Sequence, residues 1–226
     1  MLQQADGKLL AGGLFEECNN SAYPYIVRLY EQSGKIDSAM SFVSKPDNTV
    51  YAVAVQRDER ILIGGLLTAI GGAEHKGIAR VGPDYNNVDA GFTASAVGGS
   101  VRAIVVQPDD KILMGGYFTT VNDAPHNYIA RLLADGSLDP AFVHSVIAGG
   151  GVRGLALQPD GKIIVAGQFA TVAGAPYKGI ARLNANGVLD ASFSSGEGVG
   201  EDYVNSVVLQ PDGKVLVGGN FTALAG

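Results

Sequence analysis

Residues 157–167 read LQPDGKIIVAG, and this stretch decides the fold. Pro159-Asp160-Gly161 is hairpin chemistry: the aspartate caps a tight turn and the glycine adopts positive φ at little steric cost. Apolar, β-branched runs flank the turn on both sides. The phrase occurs five times: LQQADGKLLAGG at 2–13, VQRDERILIGG at 55–65, VQPDDKILMGG at 106–116, LQPDGKIIVAG, and LQPDGKVLVGG at 209–219. Its aspartates are Asp6, Asp58, Asp109, Asp160 and Asp212, at spacings of 52, 51, 51 and 52.

A second phrase occurs four times: IVRLYEQSGKID, IARVGPDYNNVD, IARLLADGSLD and IARLNANGVLD. Its arginines Arg28, Arg80, Arg131 and Arg182 recur at 52, 51 and 51, and each copy closes on an aromatic: Phe42, Phe92, Phe142 or Phe193. Each unit reads as four short strands. In the third, VRAIVVQ leads through the Pro-Asp turn to KILMGGYF; YIARLL follows; Ala134-Asp135-Gly136-Ser137 turns the chain into LDPAF. No ten-residue stretch carries helical apolar spacing with caps, so the chain reads as all-β.

Four strands in a period of 51–52 residues fit a propeller blade. A single four-stranded sheet cannot bury both of its faces, whereas sheets packed face to face around an axis can. The expectation is about four and a half blades, at 1–44, 50–94, 101–144, 152–195 and a half blade at 203–226. The glycine pair ending the second strand (Gly12-Gly13, Gly64-Gly65, Gly115-Gly116, Gly218-Gly219) suits close backbone approach or a bulge, and the fourth copy has Ala166-Gly167. The alternative is a β-solenoid, whose coils have shorter periods. The last unit lacks its third and fourth strands. The sequence therefore suggests a piece of a longer propeller, or a ring completed by another copy through open blade edges.

The phrases QPDGKIIVAGQF and IARLNANGVLDASF resemble the delta-60 repeat family, a bacterial β-propeller repeat of large secreted or surface proteins. The resemblance spans the chain and implies a propeller fold and a secreted or cell-surface location. It implies no established chemistry, since the family is a repeat module found beside adhesion-like domains. Kelch repeats also place hydrophobics before a double glycine but then require tryptophan, and this chain has none.

Composition narrows the function. Of 226 residues, 32 are glycine, about 14% and roughly twice average usage. The 46% apolar content is enough for a core. Sixteen basic against 22 acidic residues give a net charge of −6, which argues against a dedicated nucleic-acid binder or an anionic-membrane binder. No apolar run reaches the length of a membrane span, and MLQQADGKLLAGG lacks a basic n-region followed by an apolar stretch. Cys18 alone permits neither an intrachain disulfide nor a cysteine-based zinc site. The expectation is therefore no cofactor and no metal.

Residues that recur at one position in every unit read as structural. The turn aspartates are hairpin caps, because one carboxylate per turn cannot supply the six to eight oxygens of a calcium site. Arg28, Arg80, Arg131 and Arg182 are expected to pair within their own blades with Asp37, Asp89, Asp139 and Asp190.

Recognition is expected where the repeats vary. One variable row, Tyr51, Arg102, Arg153 and Asn205, lies seven residues before each turn aspartate at the axial end of the first strands. A second, Tyr23, His75, His126 and Tyr177, lies in the loops between second and third strands. Flat rings with polar tips and forked arginine donors suit a glycan or protein ligand. A non-catalytic binding or adhesion scaffold is the leading expectation. A polysaccharide hydrolase or lyase using carboxylates among Glu74, Asp123, Glu197, Glu201 and Asp202 is one alternative, and a purely structural spacer is another. His75, His126 and His144 have no nucleophile motif beside them, and the glycine runs precede strands rather than helices.

Overall fold

Ile112, Leu113 and Met114 are all fully buried. Successive side chains of a strand point to opposite faces, so this run requires both faces of its sheet to be covered. The computed structural model, which describes residues 1–39, 45–194, 196, 198–199 and 203–223, shows how. In the third unit Val101–Val106, Ile112–Gly116 and Ile129–Leu132 form an antiparallel sheet with Ile112–Gly116 in the middle. Ile112 and Met114 face back into a core shared with Leu62 and Ile78 of the preceding unit. Leu113 faces forward into a core shared with Val152, Ile163 and Val165 of the next.

The same sheet recurs in the other units. It is formed by Leu2–Gln3, Leu9–Gly12 and Ile26–Leu29 in the first, and by Val50–Val55, Ile61–Gly65 and Ile78–Val81 in the second. In the fourth unit it is formed by Val152–Leu157, Ile163–Gly167 and Ile180–Leu183, and Tyr203–Leu209 with Val215–Asn220 begin a fifth. Each hydrophobic cluster straddles two neighbouring units. From the second unit to the fifth, the first strands of successive units lie against one another. This is the propeller arrangement: the core lies between sheets, and the first strands are innermost.

Two features depart from the plain four-strand reading. The fourth strand shrinks to one bridge per unit: Leu29↔Ile36, Val81↔Val88, Leu132↔Leu138 and Leu183↔Leu189. The cause is the residue that follows. The carboxylates of Asp37, Asp89, Asp139 and Asp190 accept the amide N–H two residues on, from Ala39, Gly91, Ala141 and Ser192 at 2.9–3.1 Å. That turn takes the chain out of the ladder.

The loop between second and third strands also carries a two-residue hairpin, such as Thr120–Val121 with Ala124–Pro125. Its central Asn122 and Asp123 both have positive φ, 48° and 61°, the geometry that matches strand twist. In the third and fourth units this hairpin pairs with Ala96–Val97 or Ile147–Ala148, just ahead of the innermost strand, to make a second small sheet. No helix among the described residues is long and apolar enough to cross a membrane.

Candidate functional site

The two glycines at the end of each second strand have different tasks. A Cβ on Gly115 would stand 2.5 Å from Val152 Cγ1 of the next unit, so this glycine lets neighbouring sheets close up. A Cβ on Gly116 would stand 2.0 Å from the carbonyl oxygen of Ser100, just ahead of the innermost strand of the same unit. That contact belongs to a β-bulge. Val101 pairs with Gly116 and Ala103 with Gly115, which leaves Arg102 as the additional residue. Tyr51, Arg153 and Asn205 are the additional residues of the same bulge in the second, fourth and fifth units. A bulge twists its strand and re-aims a side chain. The first variable row is thus carried on four equivalent bulges at one end of the innermost strands.

The structure brings this row together and adds four residues that the sequence reading missed: Ser100, Tyr117, Gln168 and Tyr203. The Arg102 guanidinium lies 3.9 Å from the Tyr51 ring centroid and 5.4 Å from that of Tyr117. Arg153 lies 4.1 Å from the ring of Tyr203 and 5.6 Å from that of Tyr117. Tyrosine and arginine therefore alternate: Tyr51, Arg102, Tyr117, Arg153, Tyr203. Arg153 Nε donates to Tyr117 Oη at 2.8 Å, its Nη1 to Asn205 Oδ1 at 2.7 Å and its Nη2 to Gln168 Oε1 at 3.5 Å. Arg102 Nε donates to Ser100 Oγ at 3.1 Å. Tyr51 is 38% exposed, and Gln168 and Asn205 are also exposed. Tyr117 follows Gly115-Gly116, and Gln168 follows Ala166-Gly167 at the same place in the next unit. Their signal in the sequence is a spacing of 51, with Leu66 one unit earlier.

The second row does not join the first. Its members close the short hairpins, and their contacts are local. The N–H groups of His75, His126 and Tyr177 donate to the carbonyls of Thr68, Thr119 and Ala170 at 3.0 Å, and that of Tyr23 to Glu16 at 3.1 Å. The His126 ring sits 4.4 Å from that of His144, and Tyr177 Oη donates to the Phe193 carbonyl at 3.3 Å. Burial pushes the pKa of His75 down; burial, together with the charge of His144, does the same for His126. Glu74, Asp123 and His75 border one shallow cleft with Phe92, and Glu74 pairs with Lys76 at 2.6 Å. Glu197, Glu201 and Asp202 lie outside the described residues.

At the opposite end of the strands the repeated charges form a network. Nε of Arg28, Arg80, Arg131 and Arg182 donates to Asp37, Asp89, Asp139 and Asp190 at 2.9, 2.8, 2.7 and 2.8 Å. Lys8, Arg60, Lys111 and Lys162 of the first hairpins meet the same carboxylates at 3.0–3.4 Å. Phe92, Phe142 and Phe193 lie against the guanidinium groups of Arg80, Arg131 and Arg182 at 4.7–5.0 Å, while Phe42 falls outside the described residues. Arg28, Arg80 and Arg131 also reach across to the next unit, donating to the carbonyls of Pro83, Ala134 and Ala185.

Burial alone would raise the pKa of Asp37, Asp89 and Asp139. Hydrogen bonds and cationic neighbours outweigh it and hold all three below the usual carboxylate range. The Ser192 hydroxyl and Lys162 hold Asp190 well below it. Asp6, Asp58, Asp109, Asp160 and Asp212 each accept the backbone N–H two residues on at 3.1–3.3 Å, which closes the first hairpin. Among the described residues no group of three or more His, Cys, Asp or Glu side chains could hold a metal ion.

Cores placed between sheets, innermost strands side by side and one latch per unit define a repeat-built β-propeller protein. Comparison with known families agrees. The chain belongs to the family described as "Domain of unknown function (DUF5122) beta-propeller", which matches residues 4–39, 107–142, 158–193 and 210–226, more than half its length. The second copy of the repeat falls outside the match. There Arg57-Asp58-Glu59 replaces Pro-Asp-Gly, and Glu59 takes φ 65°.

A search of the curated proteins found no match. Among solved structures, a protein of unknown function from Bacteroides caccae is 14% identical with a TM-score of 0.50, covering 93% of this chain and 64% of its own. The extracellular domain of BT4673 from B. thetaiotaomicron is 13% identical, TM-score 0.49, covering 87% of this chain and 24% of its own. PorZ, a bacterial surface component of the type-IX secretion system of Porphyromonas gingivalis, is 15% identical, TM-score 0.46, covering 86% and 28%. The chain thus spans between about a quarter and two thirds of these longer chains.

Proposed function

We propose that this chain is a non-catalytic binding module of a secreted or surface protein, and that the bulge-carried tyrosine–arginine row holds a saccharide. The observation that supports the reading is the row itself. The residues that recur in the repeat serve turns, latches and inter-sheet packing, whereas the bulge positions vary and their side chains stand together at one end of the innermost strands. Tyrosine rings offer flat apolar faces to the C–H side of a sugar, and the exposed polar groups of Gln168 and Asn205 match its hydroxyls. The surface location follows from the resemblance of the repeat to the delta-60 family.

A glycan array probed with the whole chain, beside a Tyr51→Ala, Arg153→Gln double variant, tests the proposal. Saccharide binding by the parent and its loss in the folded variant is the expected result. A parent that binds no glycan, or a variant that binds as well as the parent, contradicts it.

A further inference from the structure

The chain has eight arginines, and six of them stand within 4.0 Å of an aspartate: Arg28, Arg57, Arg60, Arg80, Arg131 and Arg182. The other two are Arg102 and Arg153, the two arginines of the bulge row. Neither has a carboxylate partner among the described residues, although acidic groups outnumber basic ones by 22 to 16. The described residues that meet them are neutral: the faces of Tyr51, Tyr117 and Tyr203 and the oxygens of Ser100, Asn205 and Gln168.

This environment orients the guanidinium groups without neutralising them. Arg153 is tied down through all three nitrogens. Arg102 uses Nε on Ser100 and stands over the Tyr51 ring, so among the described residues its Nη1 and Nη2 form an open donor fork. Stacking on rings fixes a guanidinium plane and leaves its edge for a bidentate acceptor. A planar carboxylate is the acceptor that this fork matches.

We propose that the row takes an acidic saccharide, with a uronate carboxylate received by Arg102 and the charge of Arg153 beside it. The inference rests on the saccharide-binding reading above and adds the charge of the ligand. An acidic peptide offers the same carboxylate. The ring faces and the amide and hydroxyl groups around the two arginines suit a hydroxyl-rich pyranose better.

Calorimetric titration of the whole chain with tetragalacturonate, an alginate tetrasaccharide, maltotetraose and tetraglutamate tests the proposal. At least one uronate should bind measurably, weaken at high salt, and lose about tenfold or more in affinity on Arg102→Gln or Arg153→Gln. Arg102→Lys, which keeps the charge and loses the fork, should fall between the parent and Arg102→Gln. Arg57→Gln, at the opposite end of the strands, should bind like the parent. Melting temperatures establish that each variant is folded.

If maltotetraose binds as tightly as the uronates and the arginine variants are unaffected, the acidic class is overturned while the saccharide reading stands. If tetraglutamate binds as tightly as the uronates, the site reads anions alone and the acidic-saccharide class is overturned. If no saccharide binds, both readings fall.

Discussion

Arg131 and Arg153 are chemically the same side chain in two opposite settings. Arg131 has 8% of its side chain exposed. It donates to Asp139, reaches the Ala185 carbonyl of the next unit and lies against Phe142. Removing it would leave a carboxylate that is 4% exposed without its main partner. Breaking a buried pair from one side costs about 3–5 kcal/mol, because the remaining charge stays desolvated. Arg131→Ala should therefore lower the denaturant midpoint sharply and leave the binding row intact. An unchanged midpoint would remove the latch from the account. Arg153 stands among neutral partners, with no aspartate to strand among the described residues, so its loss should spare the fold. The repeat pattern made Arg131 legible, since Arg and Asp recur together in four units. The pairing state of Arg102 and Arg153 was not legible, because it depends on which carboxylates happen to be near.

At the scale of elements, the hairpins could be read from the Pro-Asp-Gly turns and the sheets from the apolar runs. The shortened fourth strand could not. Its residues alternate as a strand should, and only the side-chain turn at Asp139 and its equivalents draws the chain away. The small hairpins had a visible signal in Asn19-Asn20, Gly71-Gly72 and Asn122-Asp123, dipeptides suited to two consecutive positive φ values. Their pairing with the segment ahead of the innermost strand is a tertiary fact that no local pattern carries.

The glycine pair offers a graded test at this scale. Gly115→Ala pushes a methyl against a valine side chain, an overpacking expected to cost about 1–3 kcal/mol. Gly116→Ala drives the same atom onto a carbonyl oxygen fixed by the bulge, where only the backbone can yield, and should cost more. Ala166, at the position of Gly115 in the fourth unit, packs in one cluster with Val204, so the first site accepts a methyl where its neighbour makes room. Chemical denaturation of the two variants reads the order directly, and a Gly116→Ala protein as stable as the parent would contradict the bulge argument.

At the scale of the whole molecule, the propeller separates two chemistries along its axis. One end holds the repeated Arg–Asp–Phe latch that joins units. The other holds the bulges, where residues are free to differ because the glycine behind them, not the side chain, sets the backbone. The bulge residues thereby vary without disturbing the sheet, and the units contribute adjacent members of one row. The sequence placed Tyr51, Arg102, Arg153 and Asn205 in that row, and it grouped His75, His126, Tyr23 and Tyr177 with them because both sets lie at the same end of the strands. Distance from the axis separates the two sets, and spacing along the chain carries no measure of it.

Nuclear magnetic resonance of the arginine Nε–H groups, recorded on the whole chain as tetragalacturonate or the alginate tetrasaccharide is added, tests the central claim most directly. With at least one of these ligands, the signals of Arg102 and Arg153 should move in a saturable way while those of Arg28, Arg80, Arg131 and Arg182 stay in place. Saturable movement of the four latch arginines with those of Arg102 and Arg153 still would contradict the account.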